Sequence, residues 1–221
     1  TSVKLDKETV VVKPNGEVTL VATVSPVDAA NKAVNWSSSN VSVVSVDNAG
    51  KIKALAEGEA TVTVTTVDGS FTAATKVTVD INAGETGKAV VLQGDITTNT
   101  TLRSIDQNLL SGFVYVTNGV TLTIQPGTVI KGQKSSKGTL IIEPGGKIIA
   151  EGTATEPIVF TSDQPKGSRN YGDWGGIVLT GNAPVNPTSK PQIEGGPRTT
   201  YGGTVANDNS GILKYVRIEF P

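Results

Sequence analysis

The side chains that could carry out chemistry in this sequence are carboxylates in its second half. Four of them lie in polar, loop-like stretches: Asp163, Asp173, Glu194 and Asp208. A glycosidase needs two carboxyl groups about 5–10 Å apart across the scissile bond, and loop carboxylates could converge to that spacing. Single loop carboxylates are much more often turn formers or solvated charges. We therefore assign no catalytic residue and favour a non-enzymatic interpretation.

The residue types that are missing exclude several kinds of site. Among 221 residues there is no cysteine, histidine or methionine. No disulfide, no thiolate or imidazole metal ligand and no Ser–His or Cys–His nucleophile can therefore be built. Nineteen basic residues nearly balance twenty acidic ones, which leaves a net charge of −1. This balance leaves no excess of positive charge that could bind nucleic acid. No apolar run is long enough to span a bilayer.

Two oxygen-rich loops could hold a cation. Asn207, Asp208 and Asn209 form one small cluster, and Asp163 lies in another polar loop. Calcium takes six to eight oxygen ligands, and neither loop has the spaced acidic pattern of an organised calcium loop. Asx-rich turns are the favoured interpretation. A structural calcium is the alternative, and no other cofactor is predicted.

Aromatic side chains among glycines could form a platform for sugars. Tyr171, Asp173 and Trp174 lie in one glycine-rich stretch, and Tyr201 precedes two further glycines. These four residues are the candidate ligand-binding site. Trp174 could equally cover an apolar core, and this packing role is favoured because tryptophan is mostly buried in proteins.

The elements that must position these residues are strands, because Thr, Val, Gly, Ser and Asn dominate the sequence and disfavour helices. Before residue 82, alternating apolar runs occur at 17–24, 34–36, 43–46, 52–55, 60–66 and 76–79. About seven short strands with a turn every 8–12 residues or so indicate an immunoglobulin-like sandwich. Trp36 is predicted to be its core anchor. Residues 82–87 are small and polar, which indicates a short linker.

Residues 88–221 contain a repeat. The stretch TLTIQPG at 121–127 recurs as TLIIEPG at 139–145, displaced by 18 residues. A strand, a Pro-Gly corner and a second strand that recur in this way are typical of a solenoid with stacked parallel strands. We therefore predict that 122–124 and 140–142 stack on each other. Further strands are predicted at 158–161, 177–180 and 213–218, with long polar insertions between them.

Both parts resemble known families. WSSSN at 36–40 and ATVTV at 60–64 resemble the group 2 bacterial Ig-like domain. LTIQPGTVIKG at 122–132, GDWGG at 172–176 and YVRIEF at 215–220 resemble large β-helix surface proteins and lipoproteins of Gram-negative bacteria. The resemblances imply an all-β chain with an immunoglobulin-like β-sandwich at 1–81, a linker at 82–87 and a right-handed parallel β-helix at 88–221.

The resemblances also imply an extracytoplasmic protein, either secreted or at the outer-membrane surface. We expect a non-enzymatic Ig-like stalk that carries a β-helix for display, adhesion or carbohydrate binding, with a cell-surface glycan or protein as its partner. One alternative is a carbohydrate-active β-helix similar to polysaccharide lyases or glycoside hydrolases, with its catalytic residues beyond this sequence. Lyases of this fold class commonly use a Lys or Arg base with calcium. Lys166, Arg169 and Arg198 could take that role, but no motif singles any of them out.

A third interpretation is a component of a larger surface assembly. The sequence stops on a predicted strand, so we expect an incomplete β-helix. Its open end would then be covered by the rest of the chain or by another chain, because solenoids need caps.

Overall fold

The computed structural model describes residues 1–221 and contains strands, turns and loops without helices. The chain divides into two compact units, Thr1–Glu85 and Thr86–Pro221. No helix is present that is long and apolar enough to cross a membrane. The prediction of an all-β chain is confirmed.

The first unit is built from nine strands. They are β1 (Ser2–Leu5), β2 (Thr9–Val12), β3 (Glu17–Thr19), β4 (Ala22–Ser25), β5 (Val34–Ser38), β6 (Val44–Val46), β7 (Lys51–Ala54), β8 (Gly58–Thr66) and β9 (Thr72–Val79). One sheet has the order β2-β9-β8-β5, a second has the order β3-β7-β6, and β1 pairs with β4. Val62 and Val77 of the first sheet share a buried cluster with Val44 and Ile52 of the second. The core of this unit therefore lies between these two sheets.

Trp36 connects the apolar clusters of the first unit. It lies on β5 opposite Val64, and its partly buried ring packs against both clusters. The ring also lies over Gly50, where an added Cβ would come within 2.6 Å of the indole Cζ2. Gly50 has φ of 78°, a conformation that glycine adopts at little steric cost. Trp36 thus packs against the core as predicted, although it is partly rather than fully buried.

Two details of the first unit differ from the sequence prediction. The single strand expected at 17–24 is two strands, β3 and β4, because the chain changes sheet at the buried Leu20, whose amide donates to the Gly50 carbonyl. Strands β1 and β2 were not predicted from the sequence. Around the predicted linker, Asn82 is buried and Lys13 pairs with Glu85 at 2.6 Å. The linker at 82–87 stays a prediction.

The second unit is a coil of parallel strands. They are β10 (Ala89–Ile96), β11 (Thr100–Leu102), β12 (Gln107–Val116), β13 (Thr121–Ile124), β14 (Val129–Gly132), β15 (Thr139–Ile142), β16 (Lys147–Glu151), β17 (Ile158–Ser162), β18 (Gly176–Leu179), β19 (Gly211–Lys214) and β20 (Val216–Ile218). Every pair among them is parallel.

These strands stack in three rows. The first row contains the opening halves of β10 and β12, followed by β14, β17 and β20. The second row contains the closing halves of β10 and β12, followed by β15 and β18. The third row is β11-β13-β16-β19. The corner inside β12 is at Gly112, whose φ of 63° suits a residue without a Cβ.

The predicted stacking of 122–124 on 140–142 is wrong. Leu122 pairs with Ile148 in the third row, whereas Leu140 pairs with Val114 in the second. The two similar heptapeptides therefore occupy different faces of the coil. They resemble each other because each is a strand followed by the same kind of Pro-Gly corner, and that corner recurs within a coil as well as between coils.

The distance along the chain between stacked residues grows from coil to coil. In the first row the stacked pairs Ala89–Gln107, Asn108–Ile130, Ile130–Phe160 and Ile158–Val216 are separated by 18, 22, 30 and 58 residues. The added residues are in the turns, since the strands stay short. The scaffold is therefore regular although the sequence spacing is not.

The strand predicted at 213–218 is interrupted. Tyr215, with φ of 49°, separates β19 in the third row from β20 in the first row. A positive φ is costly for a residue with a Cβ and marks a turn. The segment is therefore a corner of the coil between two short strands.

Candidate functional site

Trp174, one of the predicted ligand-binding residues, lies inside the coil. It is 2% exposed and belongs to the interior apolar cluster. Its ring is stacked on Phe160 with 6.3 Å between ring centroids and 10° between the ring planes, and its Nε1 donates to the Glu219 carbonyl at 2.8 Å. Gly132 makes room for it, because a Cβ there would lie 2.5 Å from the Trp174 side chain. The structure therefore favours the packing role for Trp174.

Asp173 is buried beside Trp174 and is fully engaged. Its carboxylate accepts hydrogen bonds from Ser162 Oγ at 2.7 Å and from the Asn170 amide at 3.0 Å, and it pairs with Lys134 Nζ at 2.8 Å. The Lys134 hydrogen bond, aided by the other two, lowers the pKa of Asp173 to about 2. A carboxylate that stays ionised in this way is unsuited to act as a general acid near neutral pH.

The other two predicted ligand-binding residues are on the surface. Tyr171 is 85% exposed, next to the buried pair Asp173 and Trp174, and Tyr201 is exposed in the long segment after β18. The structure does not bring Tyr171 and Tyr201 onto one platform with Trp174, whose ring faces the interior. The assignment of these four residues to a ligand site stays a prediction.

Three of the four predicted calcium residues accept hydrogen bonds from backbone amides. Asp163 accepts from the Lys134 amide at 3.1 Å, Asp208 from the Asn182 amide at 2.8 Å, and Asn209 from the Gly211 amide at 2.7 Å. No group of three or more acidic side chains converges on one point. These bonds are typical of Asx turns and loop ties. A structural calcium at Asp163 or at Asn207, Asp208 and Asn209 stays a prediction.

Two of the candidate lyase bases also make structural contacts. Arg169 donates to Thr161 Oγ1 at 3.1 Å and to the Gln164 carbonyl at 2.9 Å. Arg198 pairs with Asp95 and Glu143 at 2.8 and 3.1 Å. The hydrogen bond to Glu143, followed in size by the one to Asp95, raises the pKa of Arg198 above its already high usual value. The Arg198 guanidinium therefore does not lose a proton.

Sequence reasoning missed an open groove on the outer face of the first row. Its volume is about 310 Å³, and it crosses β10, β12 and β14. The lining residues are Ala89, Val91, Asp106, Gln107, Asn108, Leu109, Val129 and Lys131. The sequence does show valines at outward positions of the strands, which could have indicated an apolar outer face. It does not show which outer face stays open and which one is covered by a loop.

The groove combines an apolar floor with a few polar groups. Val91 and Val129 are exposed there, and Lys131 is an exposed cation on β14. Asn108 also borders the groove, but its side chain is 2% exposed and shares the inward register of Val90 and Ile130. Pockets with apolar walls and few oriented polar groups are typical of small-molecule and glycan sites.

The outer face of the second row is covered by the protein itself. Tyr115 points outward from β12 yet is buried, because residues 190–201 of the segment after β18 fold over it. We call residues 190–201 the head. Arg198 lies over the Tyr115 ring at 4.2 Å, and the Arg198 amide donates to the Tyr115 hydroxyl at 3.3 Å.

Comparison with known proteins agrees with the two units. Residues 1–79 match the bacterial Ig-like domain (group 2), and residues 94–221 match the pectate-lyase-like β-helix domain. Among curated relatives, an uncharacterized protein of Clostridium acetobutylicum is 59% identical over 51 residues, 23% of this chain and 13% of the relative. A second uncharacterized protein of that organism is 44% identical over 70 residues, 32% of this chain and 7% of the relative.

The lacto-N-biosidase of Bifidobacterium bifidum is 48% identical over 56 residues, 25% of this chain and 5% of that enzyme. The chain thus spans 13% or less of these relatives. The matched Ig-like and pectate-lyase-like domains are typical of extracellular proteins. The chain belongs to the pectate-lyase-like β-helix family, and it carries a group 2 bacterial Ig-like domain ahead of the β-helix.

Proposed function

We propose that this chain is a non-enzymatic surface module in which the Ig-like domain is a stalk and a right-handed β-helix binds glycan along the groove of the first row. The observation that carries the proposal is the open, mostly apolar groove over Val91, Leu109 and Val129. A sugar ring has apolar C–H faces that such a floor can pack against, and hydroxyls that polar rim groups can bind.

The polar groups of the groove suit hydroxyl ligands. Lys131 offers an ammonium donor, and Gln107 offers an amide that can both donate and accept. The proposed ligand is therefore a cell-surface glycan, and adhesion follows from presenting the groove on a stalk.

The first test is glycan-array binding followed by calorimetry on the strongest ligand. Val91→Arg should fill the groove with a long side chain and lower affinity at least about tenfold, equivalent to about 1.4 kcal/mol. Lys131→Ala should lower it by a smaller factor, because it removes only one donor. Lys147→Ala, a matched change on an exposed lysine of the third row, should leave affinity unchanged. Absence of glycan binding, or binding that Val91→Arg does not weaken, contradicts the proposal.

A carbohydrate-active function is the second candidate. It is supported by membership of a pectate-lyase-like family and by the name of the lacto-N-biosidase relative. The low pKa of Asp173 and the structural contacts of Arg169 and Arg198 argue against catalysis by these residues. New reducing ends or unsaturated sugars, formed from a bound glycan by this protein, would favour this second function.

We further propose that the last coil is covered in the assembled protein, either by further chain of this polypeptide or by another chain. Leu213 and Ile218 continue the inward ladders above Ala150 and Phe160, yet they are 42% and 46% exposed. Exposed strand edges with apolar residues associate readily. Light scattering of the 221-residue protein should show association that Leu213→Lys with Ile218→Lys abolishes, and a strictly monomeric wild type would contradict this.

We place the protein outside the cytoplasm, either secreted or attached at the outer-membrane surface, as a lipoprotein would be. The absence of cysteine is compatible with this location, because the fold needs no particular redox environment. Fractionation of the producing cells, with immunodetection on intact and permeabilised cells, would test it. Detection only after permeabilisation would contradict a surface location.

A further inference from the structure

The head is tied to the coil through one arginine. Arg198 Nη2 lies 2.8 Å from Asp95 Oδ1, and its Nε lies 3.1 Å from Glu143 Oε1. A second contact joins Nη2 to Glu143 Oε2 at 3.4 Å, so Glu143 is approached by two nitrogens of the guanidinium. The plane of Tyr115 lies beneath, 4.2 Å from the guanidinium carbon.

These three coil residues form a site that matches a guanidinium. Two carboxylates supply oxygen acceptors for its fork of N–H donors, and the ring supplies a face on which the planar cation stacks. Asp95 lies on β10, Tyr115 on β12, and Glu143 directly follows β15. Because each comes from a different coil, the rigid parallel strands fix their spacing without any help from the head.

The head contains no strand and is closed on itself by a few hydrogen bonds. Gln192 forms an isolated bridge with Thr200, and the amides of Ile193 and Tyr201 donate to the carbonyls of Thr199 and Pro191 at 3.2 and 3.0 Å. Its base is held by the amides of Gly202 and Gly203, which donate to the carbonyls of Gly181 and Ala183 at 2.8 and 2.9 Å. The base can therefore stay closed while the head moves.

Solvent can reach the ion pairs that Arg198 makes with Asp95 and Glu143. The Arg198 side chain is 51% exposed, and exposed ion pairs contribute little because water and salt screen them. The head also contacts Glu143 through the Thr199 hydroxyl, which donates to Glu143 Oε1 at 3.0 Å. Ion pairs of this kind hold the head against the coil, but a competing ligand could displace it.

We propose that Asp95, Tyr115 and Glu143 form a guanidinium-binding site on the coil, which Arg198 fills while the head is closed and which an arginine of a protein partner fills when the head is lifted. The site lies on the second row and is independent of the groove on the first row. It gives the β-helix a protein-binding face whose access the head controls.

The experiment compares Arg198→Ala with Arg217→Ala, a matched change at an exposed arginine on β20 that pairs with Glu219. Glutamyl endopeptidase cleavage after Glu194, within the head, is followed by mass spectrometry on the folded protein. Glu194 is exposed in the closed head, but a protease must hold several residues on each side of the cut bond in an extended form, and Pro197 on one side is buried against the coil. Cleavage therefore reports the open fraction when opening and closing are fast. We expect Arg198→Ala to accelerate this cleavage about tenfold or more, and Arg217→Ala to leave it at the wild-type rate.

Agmatine, which carries a free guanidinium and an ammonium group, is then added and compared with 1,5-diaminopentane, a dication of similar length without a guanidinium. In the Arg198→Ala protein we expect agmatine to slow the cleavage and to raise the melting temperature, and the diamine to do neither to the same extent. In the wild type, where Arg198 fills the site, agmatine should have little effect. Equal effects of the two amines, or wild-type cleavage of Arg198→Ala, would overturn the proposal.

Arg198→Lys is a conservative control, included in case Arg198→Ala fails to fold. Lysine keeps the charge but loses the fork and the stacking plane. We expect its cleavage rate to lie between those of the wild type and Arg198→Ala. A rate equal to the wild type would show that charge alone closes the head, and the guanidinium site would then be refuted.

Discussion

Replacing Trp174 with alanine is expected to lower the free energy of unfolding of the second unit by about 3–5 kcal/mol, as for other buried Trp-to-Ala changes. The ring fills the interior over Gly132 and stacks on Phe160, so its removal leaves a cavity that the parallel strands cannot close. It also leaves the Glu219 carbonyl without the indole donor. Urea unfolding followed by far-UV circular dichroism measures the change.

The neighbouring aromatic provides the control. Tyr171→Ala removes an 85% exposed ring and should change stability by no more than about 0.5 kcal/mol. A Trp174→Ala protein as stable as Tyr171→Ala would contradict the packing role. In that case Trp174 would have to be reconsidered as part of a ligand platform with Tyr171.

Replacing Trp36 with alanine is expected to lower the free energy of unfolding of the first unit by about 3–5 kcal/mol. The ring joins the two apolar clusters of the sandwich and packs on Gly50. The chain has no disulfide that could hold the sheets together once the ring is gone. Since Trp36 and Trp174 are the two tryptophans of the chain, fluorescence of Trp174 in the variant reports separately on the second unit.

Val27→Ala is the matched control, because Val27 lies in the same unit and is exposed. It should leave the urea midpoint almost unchanged. If Trp36→Ala behaves like Val27→Ala, the sandwich is held by its sheets alone. Trp36 would then be available for another role.

The sequence predicted the class of each unit because strand alternation and turn residues are local properties. The run at 60–66 alternates and is part of β8, and the Pro-Gly corners do bound the strands of the coil. The register was not predictable in the same way. Stacking of Leu140 on Val114 depends on how many residues each turn holds, and turn lengths leave no periodic trace.

The candidate site was harder to predict for a similar reason. Whether an outward residue such as Tyr115 or Val91 is exposed depends on where a distant loop folds, and nothing near either residue in the sequence records this. Trp174 could be assigned to the core because its size favours burial. The space that receives it exists only because Gly132 is stacked beside it, which is a contact between different coils.

The lengthening turns of the first row have a thermodynamic consequence. Closing a flexible loop costs free energy in proportion to the logarithm of its length. Stacked residues 58 apart, as for Ile158 and Val216, therefore cost only about 1 kcal/mol more to bring together than residues 18 apart, as for Ala89 and Gln107. Lengthening a turn therefore lowers the free energy of unfolding only slightly. A solenoid of this type can thus acquire, lose or exchange whole surface segments during evolution while its strands keep the same neighbours, and diversity accumulates where selection for stability is weakest.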